Sequence, residues 1–221
     1  MTNSPRLGLK GAQRPRILSV PDAKTSAGKE AIDLAASAGL ILDEWQQFDL
    51  DCSLRENEDG NWTSFEVGVL CSRQNGKGGL IEARELAGLF LFGEKLIIHS
   101  AHLFDTSLEA FRRLLELIEN TPDLDKRVKK VNNAHGKEGI ELKNGNRIRF
   151  RARTRGGGRG FSGDLVILDE AMILPEEAVG ALLPTMSARK NPQLWYLGSA
   201  VDEEIHEHGL MFTKVRNRGL R

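Results

Sequence analysis

Residues 65–101 read FEVGVLCSRQNGKGGLIEARELAGLFLFGEKLIIHSA, and this stretch decides the fold. Its two ends, 65–71 and 95–101, are short apolar runs typical of buried strands. Between them, residues 76–93 begin with glycines and continue as a mostly apolar helix. A strand, a glycine-containing turn, a helix and a second strand form a βαβ unit. We therefore expect a mainly parallel sheet with helices on its faces.

The flanking segments extend this pattern. Residues 1–28 are rich in Pro, Gly, Ser and basic residues, so we predict a flexible N-terminal arm followed by one domain over 29–221. Other local signals are two short helices broken at Gly39 with the second starting near Asp43, a capping box at Thr106 and Glu109, a hairpin turn at Asn144-Gly145, buried strands over 164–171 and 193–200, and a helix over 175–188.

Composition excludes several classes of protein. The 221 residues carry no formal net charge, so a nucleic-acid surface would have to be local. The two cysteines, Cys52 and Cys71, fit no metal-ligand spacing. The sequence has no apolar run of about 20 residues and no signal-peptide core at its start, which favours a soluble intracellular protein without membrane contact.

Two partial motifs together predict an ATP site that uses Mg²⁺. Gly76-Lys77 lies between a buried strand and a helix, as in a phosphate-binding (Walker A) loop, although Cys71 and Gly78 replace the usual glycine and hydroxyl. A second buried strand ends in Asp169-Glu170, the Walker B pattern. We expect Lys77 to contact phosphates, Asp169 to hold Mg²⁺ and Glu170 to polarise the attacking water.

Five arginines alternate with other residues in RIRFRARTR. In a strand their side chains would point one way, towards a phosphate backbone or an acidic subunit surface, or they would protect an edge strand by charge. These arginines are Arg147, Arg149, Arg151, Arg153 and Arg155. Arg159 follows on a glycine-rich segment, where it is a candidate arginine finger.

These motifs resemble the large terminase subunit of tailed bacteriophages, the ATP-driven DNA-packaging motor. The resemblance covers residues 40–200 and rests on Trp45-Gln46, SRQNGKG (72–78), IIHSAH (97–102), RGFSGDLVILDEA (159–171) and YLGSA (196–200). It implies an α/β P-loop NTPase of the ASCE or RecA-like type, with a mainly parallel central sheet and a β-hairpin insertion.

The resemblance also implies roles for individual residues. Trp45 and Gln46 would lie near the adenine, and the loop Arg73, Gln74, Asn75, Gly76, Lys77 and Gly78 would hold the phosphates. Arg159 would enter a neighbouring subunit's site, and Gly198, Ser199 and Ala200 would couple hydrolysis to movement. Gly78 departs from the pattern because it lacks the hydroxyl that binds Mg²⁺.

The implied partners are double-stranded DNA, a portal protein, a small terminase subunit and copies of the same chain in a ring, in the host cytoplasm. Nothing after Ala200 matches the family's nuclease domain, so we expect an ATPase region without nuclease activity. Two alternatives stay open at this point. One is another P-loop nucleic-acid ATPase, such as a helicase or RecA-like protein, and the other is an assembly module that binds nucleotide with little hydrolysis.

Overall fold

The computed structural model describes residues 11–153, 163–202, 204–206 and 208–220. Its strands are β1 (Thr25–Ser26), β2 (Arg55–Glu56), β3 (Glu66–Leu70), β4 (Leu96–Ala101), β5 (Val128–Asn132), β6 (Gly139–Leu142), β7 (Arg147–Ala152), β8 (Leu165–Leu168) and β9 (Gln193–Gly198). Its helices are α1 (Gly28–Ser37), α2 (Glu44–Ser53), α3 (Lys77–Phe90), α4 (Phe104–Glu119), α5 (Pro122–Asp125), α6 (Glu176–Met186) and α7 (Leu210–Arg218), and a 3-10 turn covers Ala171–Ile173.

Seven strands form one sheet in the order β3-β9-β8-β4-β7-β6-β5. Neighbours from β3 to β7 are parallel, and β6 and β5 are antiparallel. The α/β class and the mainly parallel sheet are thus confirmed. The hairpin at Asn144-Gly145 also forms, with Gly145 at φ 86°, and it widens the main sheet on one side. Strand β9 lies between β3 and β8, and all three strands are parallel. The loops after β3 and β8 therefore both lie at the carboxyl-terminal end of these strands.

Helices cover the two faces of the sheet unequally. The larger core joins α1 to α4 with the sheet side chains of one face, including Phe150, Ile167 and Trp195. On the other face, α6 and α7 pack against residues of β4, β8 and β9, such as Val166 and Tyr196. β8 and β9 are therefore buried on both faces, which explains why their sequences are continuous apolar runs rather than alternating ones.

Three local expectations differ from the structure. Helix α4 begins at Phe104, so the pair Thr106 and Glu109 lies inside the helix and is not a capping box. The run 65–71 was expected as a buried strand, whereas β3 lies at the edge of the sheet and only its Val69 is buried. Strand β7 lies between β4 and β6, so its arginines do not protect an edge.

The end of the predicted arm is paired with the domain. Lys24 donates its backbone N–H to Glu56 O (3.0 Å), β1 pairs with β2, and α1 begins at the predicted boundary, Gly28. Farther back, Gln13 Oε1 accepts the backbone N–H of Trp45 (3.2 Å). Within the described residues, no helix is both long and apolar enough to cross a membrane.

Candidate nucleotide-binding site

The phosphate-binding loop predicted from Gly76-Lys77 connects β3 to α3. Two of its residues adopt left-handed backbone conformations, Gln74 at φ 60° and Gly76 at φ 82°. Gly76 immediately precedes the helix, and no side chain caps the first turn of α3 in the described part of the chain. Backbone N–H groups at the start of a helix bind anions. The tight turn and the uncapped helix therefore meet the requirements of a phosphate site.

Lys77 folds back across this loop. Its Nζ donates hydrogen bonds to the carbonyl oxygens of Ser72 (2.8 Å) and Cys71 (3.2 Å). The side chains of Arg73, Gln74 and Asn75 are exposed beside it, and Asn75 also donates to Ser72 Oγ. The ammonium group is thus held at the loop by two backbone carbonyl oxygens.

The upstream pair Trp45-Gln46 supports the loop from α2. The buried Gln46 donates from Nε2 to Gly76 O (2.7 Å), while its Oε1 accepts the backbone N–H of Asp43 (2.6 Å). A Cβ at Gly76 or Gly79 would lie 3.0 Å from Gln46 Nε2, so this contact leaves little room for a side chain at either position. Trp45 is half-buried and its ring edge lies 3.7 Å from the same point at Gly76.

Asp169 and Glu170 form a sharp turn after β8. Glu170 has φ 54°, a left-handed conformation that non-glycine residues rarely adopt, and its N–H donates to Asp169 Oδ1 (2.8 Å). Both side chains are half-buried at the sheet edge to which β3 also leads. The turn therefore presents two carboxylates beside the region of the phosphate-binding loop.

Arg153 holds this turn in place. Its Nη2 donates to the carbonyl oxygens of Asp169 (2.6 Å) and Glu170 (3.1 Å), and its Nη1 donates to Ser100 O (2.8 Å). Burial lowers the pKa of Arg153 to about 10, against the opposing effect of the two acids. β7 ends at Ala152, and Arg153 is thus not part of the exposed arginine row predicted from the sequence.

Gly198, at the end of β9, lies beside both the phosphate-binding loop and the residues that follow the Asp169-Glu170 turn. Its carbonyl accepts the N–H of Cys71 (3.1 Å), at the start of the phosphate-binding loop. A Cβ on Gly198 would lie 2.9 Å from the ring of Phe212 and 3.3 Å from the backbone nitrogens of Ala171 and Met172, which follow Glu170. Ser199 is half-buried and Ala200 is exposed. The predicted coupling segment therefore begins at the contact between the two loops.

A buried acid–histidine pair lies behind these loops and was missed by sequence reasoning. His99 Nδ1 and Glu85 Oε1 are 2.6 Å apart, and each side chain is 1% exposed. Burial raises the pKa of Glu85, and Glu85 raises the pKa of His99 against the opposite effect of burial. Glu85 reads as an ordinary polar helix residue in the sequence, so only the fold reveals this pair.

Three of the five predicted arginines share one open surface. Arg147, Arg149 and Arg151 are exposed on β7, whereas the intervening Ile148 and Phe150 are buried. Burial and repulsion from Arg147 and Arg151 lower the pKa of Arg149, as expected for a row of like charges. We call Arg147, Arg149 and Arg151 the arginine face. Arg155 and Arg159 lie outside the described residues.

The residues present fit a Mg²⁺ ion held together with a nucleotide. No group of three or more His, Cys, Asp or Glu side chains with metal-site spacing occurs in the described ranges, so they contain no all-protein cage. Mg²⁺ in nucleotide sites usually binds one or two carboxylates and completes its shell with phosphate oxygens and water. Asp169 and Glu170 supply carboxylates of this kind, whereas Gly78 supplies no ligand.

Comparison with known proteins identifies the fold. The sequence matches no protein-family model and no curated protein sequence. The structure is similar to the large terminase of bacteriophage HK97, with a TM-score of 0.69 and 18% identity over 87% of this chain and 41% of that chain. It is also similar to a mutant large terminase ATPase domain of Thermus phage P74-26, with a TM-score of 0.50 and 21% identity over 61% of this chain and 60% of that chain.

These similarities show that the chain has the fold of large terminase ATPase domains, as the sequence motifs implied. The chain spans about two fifths of the HK97 protein's length and three fifths of the Thermus phage chain.

Proposed function

We propose that this chain is the ATP-hydrolysing motor domain of a viral terminase large subunit and drives double-stranded DNA into a procapsid. One observation carries the proposal. The phosphate-binding loop and the Asp169-Glu170 turn meet at Gly198, which hydrogen bonds to the first loop and packs against the second. Two loops joined in this way can respond together to a nucleotide bound between them.

Each residue then has a defined task in hydrolysis. The N-terminus of α3 and Lys77 bind the phosphates, and Arg73 adds an exposed positive charge beside them. Asp169 holds Mg²⁺, which when bound neutralises charge on the phosphate oxygens. Glu170 orients the attacking water and accepts its proton, and Arg153 fixes the backbone on which both acids stand.

The remaining roles follow from the similarity to terminases and from the open surface of the sheet. The arginine face would contact the DNA backbone, because guanidinium groups suit phosphate oxygens and no acidic residue intervenes along β7. Arg159 would complete the site of a neighbouring subunit in a ring. A portal protein and a small terminase subunit are the expected partners, and the host cytoplasm is the expected location.

The test is Mg²⁺-dependent phosphate release from ATP, measured over a range of protein concentrations with and without double-stranded DNA. The motor proposal expects a specific rate that rises with protein concentration or DNA and is lost in Lys77→Ala. ATP binding without phosphate release would contradict the motor and favour the nucleotide-dependent assembly module, for which Gly78 is the supporting observation. Strand separation driven by ATP would instead favour a helicase.

A further inference from the structure

An arginine on α4 lies against the one position where the phosphate-binding loop lacks its usual hydroxyl. A Cβ built on Gly78 would lie 3.2 Å from Nη1 of Arg113, 3.4 Å from Nη2 and 3.5 Å from Cζ. The guanidinium group thus lies over the first turn of α3, in the space that a Ser or Thr side chain would enter. Sequence reasoning gave no sign of this contact, since the two residues are 35 positions apart.

Arg113 is anchored in this position from one side. Its Nε lies 2.8 Å from Oε1 of Glu82, one turn along α3 from Gly78. The Glu82 side chain is 6% exposed and that of Arg113 is 50% exposed, so the anchor is buried while the cation reaches solvent. Burial raises the pKa of Glu82, and Arg113 opposes this rise. Neither Nη atom has a hydrogen-bond partner in the described part of the chain, so both can donate N–H groups to the oxygen atoms of a ligand.

The glycine and the arginine fit each other. In other phosphate-binding loops the hydroxyl after the lysine binds Mg²⁺ next to the β- and γ-phosphates. Here a Cβ at position 78 would require the guanidinium to shift by a few tenths of an ångström, because contacts of 3.2 Å are tighter than ordinary van der Waals packing. With Gly78 no shift is needed, so the missing hydroxyl and the arginine contact occur at the same residue.

We propose that Arg113 is a phosphate-binding residue of this nucleotide site, acting from α4 in the same chain. With Nε held by Glu82, the two Nη atoms form a fork that suits phosphate oxygens. The inference rests on the proposed ATP site. It assigns to Arg113 part of the charge neutralisation that other loops obtain through the hydroxyl-bound metal ion.

The test measures binding of ATP, ADP and AMP by calorimetry, each with and without Mg²⁺. The variants are Arg113→Ala, Arg113→Lys and, as a matched control, Arg112→Ala, which removes the neighbouring exposed arginine of the same helix. We expect Arg113→Ala to weaken ATP binding about tenfold, the usual effect of losing a charge-assisted hydrogen bond. The loss should be smaller for AMP, partly recovered by lysine, and absent in Arg112→Ala.

Gly78→Ala provides a second route if Arg113→Ala does not fold, because it adds a Cβ without supplying a hydroxyl that could bind Mg²⁺. The Cβ should shift the guanidinium, so we expect weaker ATP binding without Mg²⁺ in the native background and little further loss in Arg113→Lys. Lys77→Ala distinguishes failure of the Arg113 proposal from failure of the ATP site. If Lys77→Ala loses ATP binding while Arg113→Ala and Gly78→Ala bind normally, Arg113 has no phosphate role and the ATP site stands. If the native protein binds no ATP, both inferences fail.

Discussion

Among single residues, Glu170 is placed to separate ATP binding from hydrolysis. Its backbone is fixed by Arg153 and by Asp169, whereas its side chain makes no contact with the phosphate-binding loop among the described hydrogen bonds. We expect Glu170→Gln to keep ATP affinity within about twofold and to lower the turnover rate at least a hundredfold, since the amide cannot accept the water proton. Parallel calorimetry and phosphate release measure the two effects, and normal turnover would contradict the Walker B assignment.

Asp49 gives a pH-dependent prediction for stability. Burial on α2 raises its pKa to about 6, and Arg14 opposes this only in part. The folded state thus keeps a proton that the unfolded chain releases near pH 4. Stability should therefore fall as pH rises from about 4 to 6 and stay reduced above that. The expected result is that Asp49→Asn raises the melting temperature by a few degrees at pH 8 and hardly changes it at pH 4.

The sequence could predict the position of residues whose place in the fold is set by local context. Gly76 and Lys77 stand between a strand and a helix, and Asp169 ends a buried run, so a short window contains the signal. The contacts of Arg153 and Arg113 could not be predicted from a short stretch of sequence, because they join segments far apart in the chain. Alternation along β7 even predicted the wrong environment for Arg153, since the pattern continues one residue past the end of the strand.

At the scale of elements, Arg153 connects the ends of β4, β7 and β8. Its three hydrogen bonds reach carbonyl oxygens on two neighbouring segments, and its Nε is buried without a partner among the described residues. We expect Arg153→Ala to lower the free energy of unfolding by about 2 kcal/mol, because three hydrogen bonds from a charged donor are lost. The oxygens of Ser100 and Glu170 still accept the N–H groups of Asp169 and Ile173, whereas Asp169 O keeps no partner among the described hydrogen bonds. It should also slow ATP turnover, since the Glu170 turn loses its support.

Urea unfolding monitored by circular dichroism measures the effect of Arg153→Ala on stability. Arg151→Ala is the matched control, because Arg151 lies two residues earlier and its side chain is exposed. We expect that control to change stability by less than about 0.5 kcal/mol. Equal effects of the two substitutions would show that the hydrogen bonds of Arg153 add nothing measurable.

Element types and their order were predictable, whereas element ends and neighbours were not. The βαβ unit, the hairpin turn and the two-face burial of β8 follow from hydrophobic periodicity and turn residues. The start of α4 was misplaced because Thr106 and Glu109 imitate a helix cap inside a helix. Strand order depends on long-range packing, so the interior place of β7 could not be derived from its alternating charges.

For the whole molecule, the unequal covering of the sheet determines where DNA could bind. On the side of the sheet opposite α1 to α4, helices α6 and α7 pack against one part, and the arginine face is exposed on another part. If each arginine contacts a phosphate, replacing Arg147, Arg149 and Arg151 by Gln should reduce the slope of log affinity against log salt by about one unit per residue. Fluorescence anisotropy with labelled double-stranded DNA measures this slope.

A matched triple variant distinguishes the arginine face from general positive charge. Lys24, Lys29 and Lys190 are exposed outside β7, and replacing them by Gln removes the same number of charges. Because only the arginines form one row on one strand, we expect the lysine variant to keep most of its affinity and nearly the native salt slope. DNA-stimulated phosphate release should fall in the arginine variant, while release without DNA stays unchanged. If both triple variants lose the same DNA affinity, binding depends on the overall charge of the protein and β7 is not the DNA-binding surface.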